Sequence, residues 1–322
     1  MKTLCRHAVF AFALAFPLAG QCQDYPDRPV RLIVPFAAGS TPDVFARIVG
    51  EKAAQTLKQP VVIENRAGAG GNLGTDLIAK AVPDGYTIGV SITGPLVNNT
   101  VLYKKLPYDP FKDLAPITFG VHQPNVIAVS PSLNVNSMQE LFALLKSNPG
   151  KYNYASIGAG SLSHLSMELI KAKTSTFIVH IPYASSPAAV TSVIAGDTQI
   201  ASLAPLAIMP QVQAGRLKAL AISTPQRSPL LPGIPTFREA GILDVEASAW
   251  IGMVAPAKTP QAIIERLNRE FVAAMRDTAV AEKLKAIHMT PEPGTPAQFA
   301  AFMQEELKRW TPVIRRSGAS VD

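Results

Sequence analysis

Ser161 and His164 stand three residues apart in IGAGSLSH, a spacing that sets a hydroxyl beside an imidazole at the start of a helix. Chemically the pair suggests a nucleophile and its base, and so a secreted hydrolase. The surroundings argue against it. No GxSxG elbow exists, and spacing places no acid to orient the imidazole. His164 is better read as a helix-start residue that caps or bonds its own loop. Metal chemistry is unsupported too: CxxC and HExxH are absent and His122, His164, His180 and His288 are scattered, so neither zinc nor haem is signalled and no cofactor is expected.

Anion binding is the other chemistry these residues offer. In residues 35–47, PFAAGSTPDVFAR, the small side chains of Ala37, Ala38, Gly39, Ser40 and Thr41 let a ligand approach the backbone. The helix that follows supplies unpaired N–H groups and a partial positive charge, which together hold a carboxylate or phosphate. An ordinary well-capped βα connection has the same composition. Asp43 and Arg47 are four apart with the acid first, so a helix-surface ion pair is expected of both.

The elements that position this loop are legible on either side of it. Residues 30–34 form a β-branched run that reads as a buried strand, and Val44, Phe45, Ile48, Val49, Ala53 and Leu57 recur at helical spacing. Thr41 is the expected N-cap, with Pro42 at N1 where its missing N–H costs nothing. The same design recurs at a strand over residues 152–156, the loop Ile157 to Ser163 and a helix from His164. A third loop follows the strand over residues 87–91, where Thr93 and Asn98 offer a hydroxyl and an amide at the edge on which open α/β sheets bind ligands. The glycines of residues 64–74, ENRAGAGGNLG, invite a dinucleotide reading. Their spacing refuses it, because Leu73 or Thr75 stands where the third glycine belongs. A tight connection that lets the following helix pack on its sheet is the expectation there.

Residues 1–22 read as a secretory signal peptide: Lys2 and Arg6, then an apolar run, then small residues, too short to span a membrane permanently. Cys22 offers lipid anchoring as an alternative, although LAGQC has one residue too many for a usual lipidation box. With Cys5 in the leader no intrachain disulfide is possible, so the fold stands on its core. The net charge of +7 falls to +5 without Lys2 and Arg6, spread rather than clustered, and no Lys/Arg run with interleaved aromatics suggests nucleic acid.

About 300 remaining residues exceed one comfortable core and suggest two lobes. Three βα units precede Pro124, about as many lie between there and Ser223, and a mostly helical tail follows that most simply packs back on the first lobe. The expectation is an α/β fold with residues 23–123 and 225–322 as the first lobe and 124–224 as the second. The chain then crosses twice, near residues 120–124 and 223–225, leaving a cleft between the small-residue loops that can close over a solute.

Residues 35–47, together with ENRAGAGGNLG and PDGYT, resemble the Bug family, periplasmic solute-binding proteins of tripartite tricarboxylate transporter type. The similarity continues through HIPYASSPAAV at residues 180–190, AGRLKALAIST at 214–224, IPTFREAG at 234–241 and the strand around Trp250. This resemblance implies a periplasmic protein of type II periplasmic-binding fold with two lobes and two crossovers. It further implies a ligand carboxylate held by backbone N–H groups and ordered waters rather than by an arginine clamp. Its contacts map to Phe36, Ala37, Ala38, Gly39, Ser40 and Thr41, with Asp43 ordering the loop, and in the second lobe to Gly158, Ala159, Gly160, Ser161, His164, Tyr183, Ala184 and Ser185. Phe36 or Tyr183 would cover the apolar part of the substrate. The expected partners are a small organic carboxylate and membrane permease subunits, the receptor itself being a monomer; a periplasmic sensor that presents its closed form to a signalling protein is the alternative.

Departures from the family pattern bear on the ligand. Ser40 stands where a second glycine is usual, Ser161-Leu162 replaces a glycine-threonine pair, and Ala184-Ser185-Ser186 replaces a lysine-glycine segment. Each serine adds a hydroxyl or removes a charge at the mouth of the cleft.

Overall fold

The computed structural model describes residues 25–243, 245, 248–317 and 319–321, so the expected leader lies outside the described residues. In the first sheet β1 (Val30–Val34) pairs in parallel with β2 (Val61–Asn65) and β3 (Thr87–Ile92). The crossovers are α1 (Thr41–Leu57) and α2 (Asn72–Ala79). All of β1 but Arg31 is buried, because helices cover both faces of the sheet, as parallel strands require. A short helix, α3 (Asn99–Leu102), follows β3.

β4 (Leu114–Pro124) is the longest strand, and the sequence reading missed it. Pro116 and Gly120 disguise its pattern; Gly120 is needed because a side chain there would strike Phe45 of α1. Only Asn125 separates β4 from β5 (Val126–Val129), which opens the second sheet. That residue ties the crossing down: its backbone N–H donates to Ser223 Oγ at 2.8 Å and its side-chain amide to the Ser202 carbonyl at 3.2 Å.

The second sheet repeats the first. After α4 (Met138–Ser147) come β6 (Asn153–Ser156), α5 (Leu162–Thr174), β7 (Val179–Pro182), α6 (Ser186–Ala195), β8 (Ile200–Leu203), α7 (Pro205–Gln213) and β9 (Lys218–Ile222). The strand order is β7-β6-β8-β5-β9, with β7, β6 and β8 parallel and β5 antiparallel to both its neighbours.

The return crossing lies later than the expected residues 223–225. After β9 the chain stays on the second lobe, where Ile222 bridges Thr236 and Phe237, Ala240, Ile242 and Val245 enter the core of Ile127, Leu141 and Leu220. The apolar side chains of this proline-broken stretch have that core as their burial partner, which the lack of regular structure concealed. The chain then re-enters the first sheet as β10 (Ser248–Pro256), antiparallel between β3 and β4, with β11 (Thr290–Pro291) beyond β4.

Of the tail, α8 (Gln261–Arg276) and α9 (Thr278–Ala286) pack on the first lobe as expected, with Leu267, Phe271 and Leu284 in the core that holds Phe45 and Val49 of α1. Each fully buried side chain of this kind contributes about 1.5–3 kcal/mol. The last helix, α10 (Pro296–Ser317), departs from the expectation by serving both lobes: Phe299 and Met303 lie with Trp250, whereas Trp310 and Ile314 lie in the second lobe's core. Between them the buried Glu306 accepts the indole N–H groups of Trp250 and Trp310, each at 3.0 Å. A helix with apolar positions along its whole length can bridge two cores, and only the fold shows which ones.

Candidate functional site

The loop after β1 is set by one buried carboxylate. Asp43 accepts the Gly39 backbone N–H at 2.9 Å, the Arg47 guanidinium at 3.0 Å and the Asn65 side-chain amide at 2.9 Å. The Asn65 amide also holds the Phe36 carbonyl, at 3.0 Å. Burial works against ionisation, but Arg47, the Gly39 N–H and Asn65 outweigh it and hold the Asp43 carboxyl below the usual range. Asp43 thus ties Gly39 to the first turn of α1, with Arg47 as its ion-pair partner. The N-cap is Ser40 rather than Thr41: Ser40 has the extended backbone and Thr41 begins the helix, which places Pro42 in its first turn. The Ser40 hydroxyl is buried without a hydrogen-bond partner among the described residues.

In the second lobe, Ser161 caps α5 by accepting the His164 backbone N–H, and its own hydroxyl donates to the Gly158 carbonyl at 2.6 Å. His164 Nδ1 accepts the Gly160 N–H at 3.2 Å, and its ring stacks on His180 at 4.1 Å, which stacks in turn on Tyr154 at 4.9 Å. His180 Nε2 meets Ser156 Oγ at 2.6 Å. Burial, with a smaller push from the Lys171 cation, takes His164 down to about 4, so at neutral pH it is uncharged and free to accept. Burial and then His164 take His180 down to about 3. The Ser161 hydroxyl therefore does not reach the imidazole as a nucleophile reaches its base; both residues hold their own loop.

The lobes meet through backbone. A Cβ on Gly158 would lie 2.7 Å from Gly70 Cα, so only bare glycines allow this approach. Asn98 Nδ2 donates across the cleft to the Gly160 carbonyl at 3.0 Å. Gly160 has φ +78°, and a side chain there would strike Asn99 Oδ1. Second-lobe Ile157 and Leu206 pack against the first-lobe core, which makes this a closed arrangement of the two lobes.

Among the described residues, closure leaves at least three spaces along the interface. A small, partly open cavity of about 30 Å³ is lined by Thr41, Thr93, Gln123, Asn125, Ile157, Ser163, Ser186 and Ala204 among others. These residues include the starts of α1, α5 and α6 and the residue preceding α7, so several positive helix ends converge on one point between the lobes. A second space, of about 340 Å³, is bordered by Phe36, residues 68–71, Tyr103, Gly158, Ala159, Tyr183, Ala184 and Val321. A third, of about 370 Å³, runs between α1 and the pair α6 and α7, past Gly39, Thr41, Pro187 and Arg216.

The expected site residues divide among these spaces. Thr41 and Thr93 face the small cavity; Phe36, Gly158, Ala159, Tyr183 and Ala184 border the second; Gly39 borders the third. Ala37 is half-buried and Ala38 exposed at the loop tip. Ser40, Asp43, Asn98, Gly160, Ser161, His164 and Ser185 border none of the three spaces, and hold or cap the loops instead, Ser185 by accepting the Ala188 N–H at α6. Sequence reasoning missed Gly70, Tyr103, Gln123 and Asn125. The crowding of Gly68, Gly70 and Gly71 signalled the first of these, since a packing role explains Gly71 and Gly74 but not Gly70. Nothing marked Gln123 and Asn125, because β4 itself was not foreseen.

Residues 45–319 match the family described as the tripartite tricarboxylate transporter family receptor. BugT of Bordetella pertussis is 38% identical over 298 residues, which are 92% of this chain and 91% of BugT. Of solved structures, an R. palustris protein with adipate superposes with a TM-score of 0.89 at 32% identity, over 92% of this chain and 99% of that one. MatC from Rhodopseudomonas palustris with bound malate superposes with a TM-score of 0.86 at 30% identity, over 90% and 100%. A two-lobed α/β chain that shares this much of its length with such proteins belongs to the Bug-type tripartite tricarboxylate receptors, and it is a periplasmic solute receptor rather than an enzyme.

Proposed function

We propose that this receptor traps a small organic carboxylate between its lobes, mainly through backbone N–H groups, and hands it to membrane permease subunits after export by the leader at residues 1–22. The observation that carries the reading is the convergence of helix starts on the interlobe space, where Thr41, Ser163 and Ser186 carry N–H groups with no helical partner. Among the described residues no arginine or lysine lines that cavity, so any anion there is met by dipoles.

Three or four charge-assisted hydrogen bonds at roughly 1.5–3 kcal/mol each give a gross interaction of about 5–12 kcal/mol. Association takes back about 4–15 kcal/mol. One lobe alone therefore binds weakly, and micromolar affinity, about −8 kcal/mol, requires donors from both. A thermal-shift screen of mono-, di- and tricarboxylates, with aromatic and amino acids included, tests this. The true ligand stabilises by about 2.7 kcal/mol at a hundredfold excess over its Kd. Shifts with neutral sugars or cations, and none with any carboxylate, would refute it.

A further inference from the structure

The open groove beside α1 leads away from the interlobe cavity, and its walls come from two helices that run the same way. A Cβ on Gly39 would stand 3.9 Å from Pro187 Cγ, and Leu206 packs against the first-lobe core, so α6 and α7 both begin at the lobe seam. Ile194 lies two helical turns beyond Pro187, which carries the groove about 10 Å outward from that seam. Val44 on the first lobe, with Val190, Ile194, Leu206 and Ala207 on the second, makes its length apolar. Its volume of about 370 Å³ falls within the range of small-molecule sites, about 300–1,000 Å³.

The far end is polar and positive. Arg216 lines the groove there, exposed and without an ion-pair partner among the described residues, and no acidic side chain among them lines the groove. Gln211 stands beside it, since the Arg216 N–H donates to the Gln211 carbonyl at 2.8 Å. Gln211 Oε1 is buried with no hydrogen-bond partner among the described residues, and a half-turn of the carboxamide presents N–H in its place. A guanidinium and a carboxamide side by side suit the two oxygens of a carboxylate. The seam end, closed by Val44, Pro187 and Leu206, suits the tip of an alkyl chain, because Pro187 has no N–H to offer a second charge.

We propose that this groove is a second ligand site, which takes an amphipathic monocarboxylate: its carboxylate on Arg216 and Gln211, its chain laid between α6 and α7 with the tip against Val44. The site goes beyond the carboxylate reading above and does not need it, because Val190, Ile194, Gln211 and Arg216 do not line the interlobe cavity.

Titration calorimetry of the full-length protein with hexanoate, octanoate and decanoate, kept below their micellar concentrations, tests the assignment. Affinity should rise about two- to fourfold for each methylene added. Decyltrimethylammonium, the same chain with the opposite charge, should bind at least about tenfold more weakly than decanoate. Arg216→Gln should weaken decanoate about three- to tenfold, the pairing being exposed, and Ile194→Glu should weaken it further by setting a like charge in the wall. Malate and adipate, titrated in parallel, should be indifferent to both substitutions. Absence of decanoate binding overturns the proposal. So does a decanoate affinity that ignores both substitutions, which would place the acid in the interlobe space or make it an adventitious additive only. Equal binding of decanoate and decyltrimethylammonium overturns it as well. Decanoate binding that depends on Arg216, in a protein that binds no short carboxylate, would uphold this site and overturn the reading of the interlobe cavity.

Discussion

Acid should weaken this receptor through its stacked imidazoles well before it reaches the carboxylates. His164 and His180 are neutral in the fold, held at about 4 and about 3 against a usual 6.5. Between about pH 6.5 and 4 the unfolded chain takes up protons that the folded chain refuses, so stability is complete above this window and falls as pH drops through it. For His164 alone, a difference of about 2.5 units is worth about 3 kcal/mol. Two rings 4.1 Å apart cannot charge independently, so His180 extends the loss to lower pH more than it deepens it. Glu168 pulls His180 back toward its charged form, but Lys171, paired with Glu168 at 2.8 Å beside the stack, pushes the other way, and burial outweighs both. Urea unfolding across a pH series should show stability falling by about 1.4 kcal/mol per pH unit for each imidazole near pH 5. His164→Leu should lower stability at every pH, since the Gly160 N–H loses its acceptor, and should flatten that slope by about one proton. A slope unchanged by the substitution would refute the picture of His164 as a buried, neutral acceptor.

Asn98→Ala removes the side-chain hydrogen bond that joins the lobes at the Gly160 carbonyl, worth about 1 kcal/mol. Small-angle scattering should find the unliganded variant more open and calorimetry should find ligand affinity reduced about fivefold; unchanged values in both would mean that the bond does not contribute to closure. Gly39→Val should abolish binding at modest cost to folding, about 1–2 kcal/mol for its φ of +75°, because its nearest neighbour is Pro187 Cγ at 3.9 Å across the interface. Gly71→Val should instead unfold the protein by about 3 kcal/mol or more, since a Cβ alone would lie 2.8 Å from Phe36 and Pro95. Melting curves with calorimetry separate these two, and the reverse pattern would exchange site and scaffold.

Most of the architecture could be read from local pattern. Ser137 accepts the Glu140 N–H at the start of α4, as its spacing announces, and β1, α1 and the second strand–loop–helix unit lie close to their expected places. What escaped was what distance along the chain hides. β4 is interrupted in its pattern by Pro116 and Gly120 and is held by β10, whose pairing no local window contains. Phe237 and Trp310 show nothing in their neighbourhoods of the core they join. In the candidate site, the loops were visible as composition, whereas their internal roles were not: Asn98 points at a backbone carbonyl and His164 at a backbone N–H, and each could equally have faced a ligand until its partner was known.

The placing of β10 also governs when the molecule can be completed. A polypeptide made from its N-terminus delivers β3 and β4 early, yet the strand that belongs between them lies beyond the whole second sheet in sequence, and Trp250 on it awaits Glu306 near the other end of the chain. The five strands of the second sheet all fall within residues 126–222 and form a local assembly, so that half is free to organise first. The half that houses the β1–α1 loop stays unsealed until almost every residue has been synthesised.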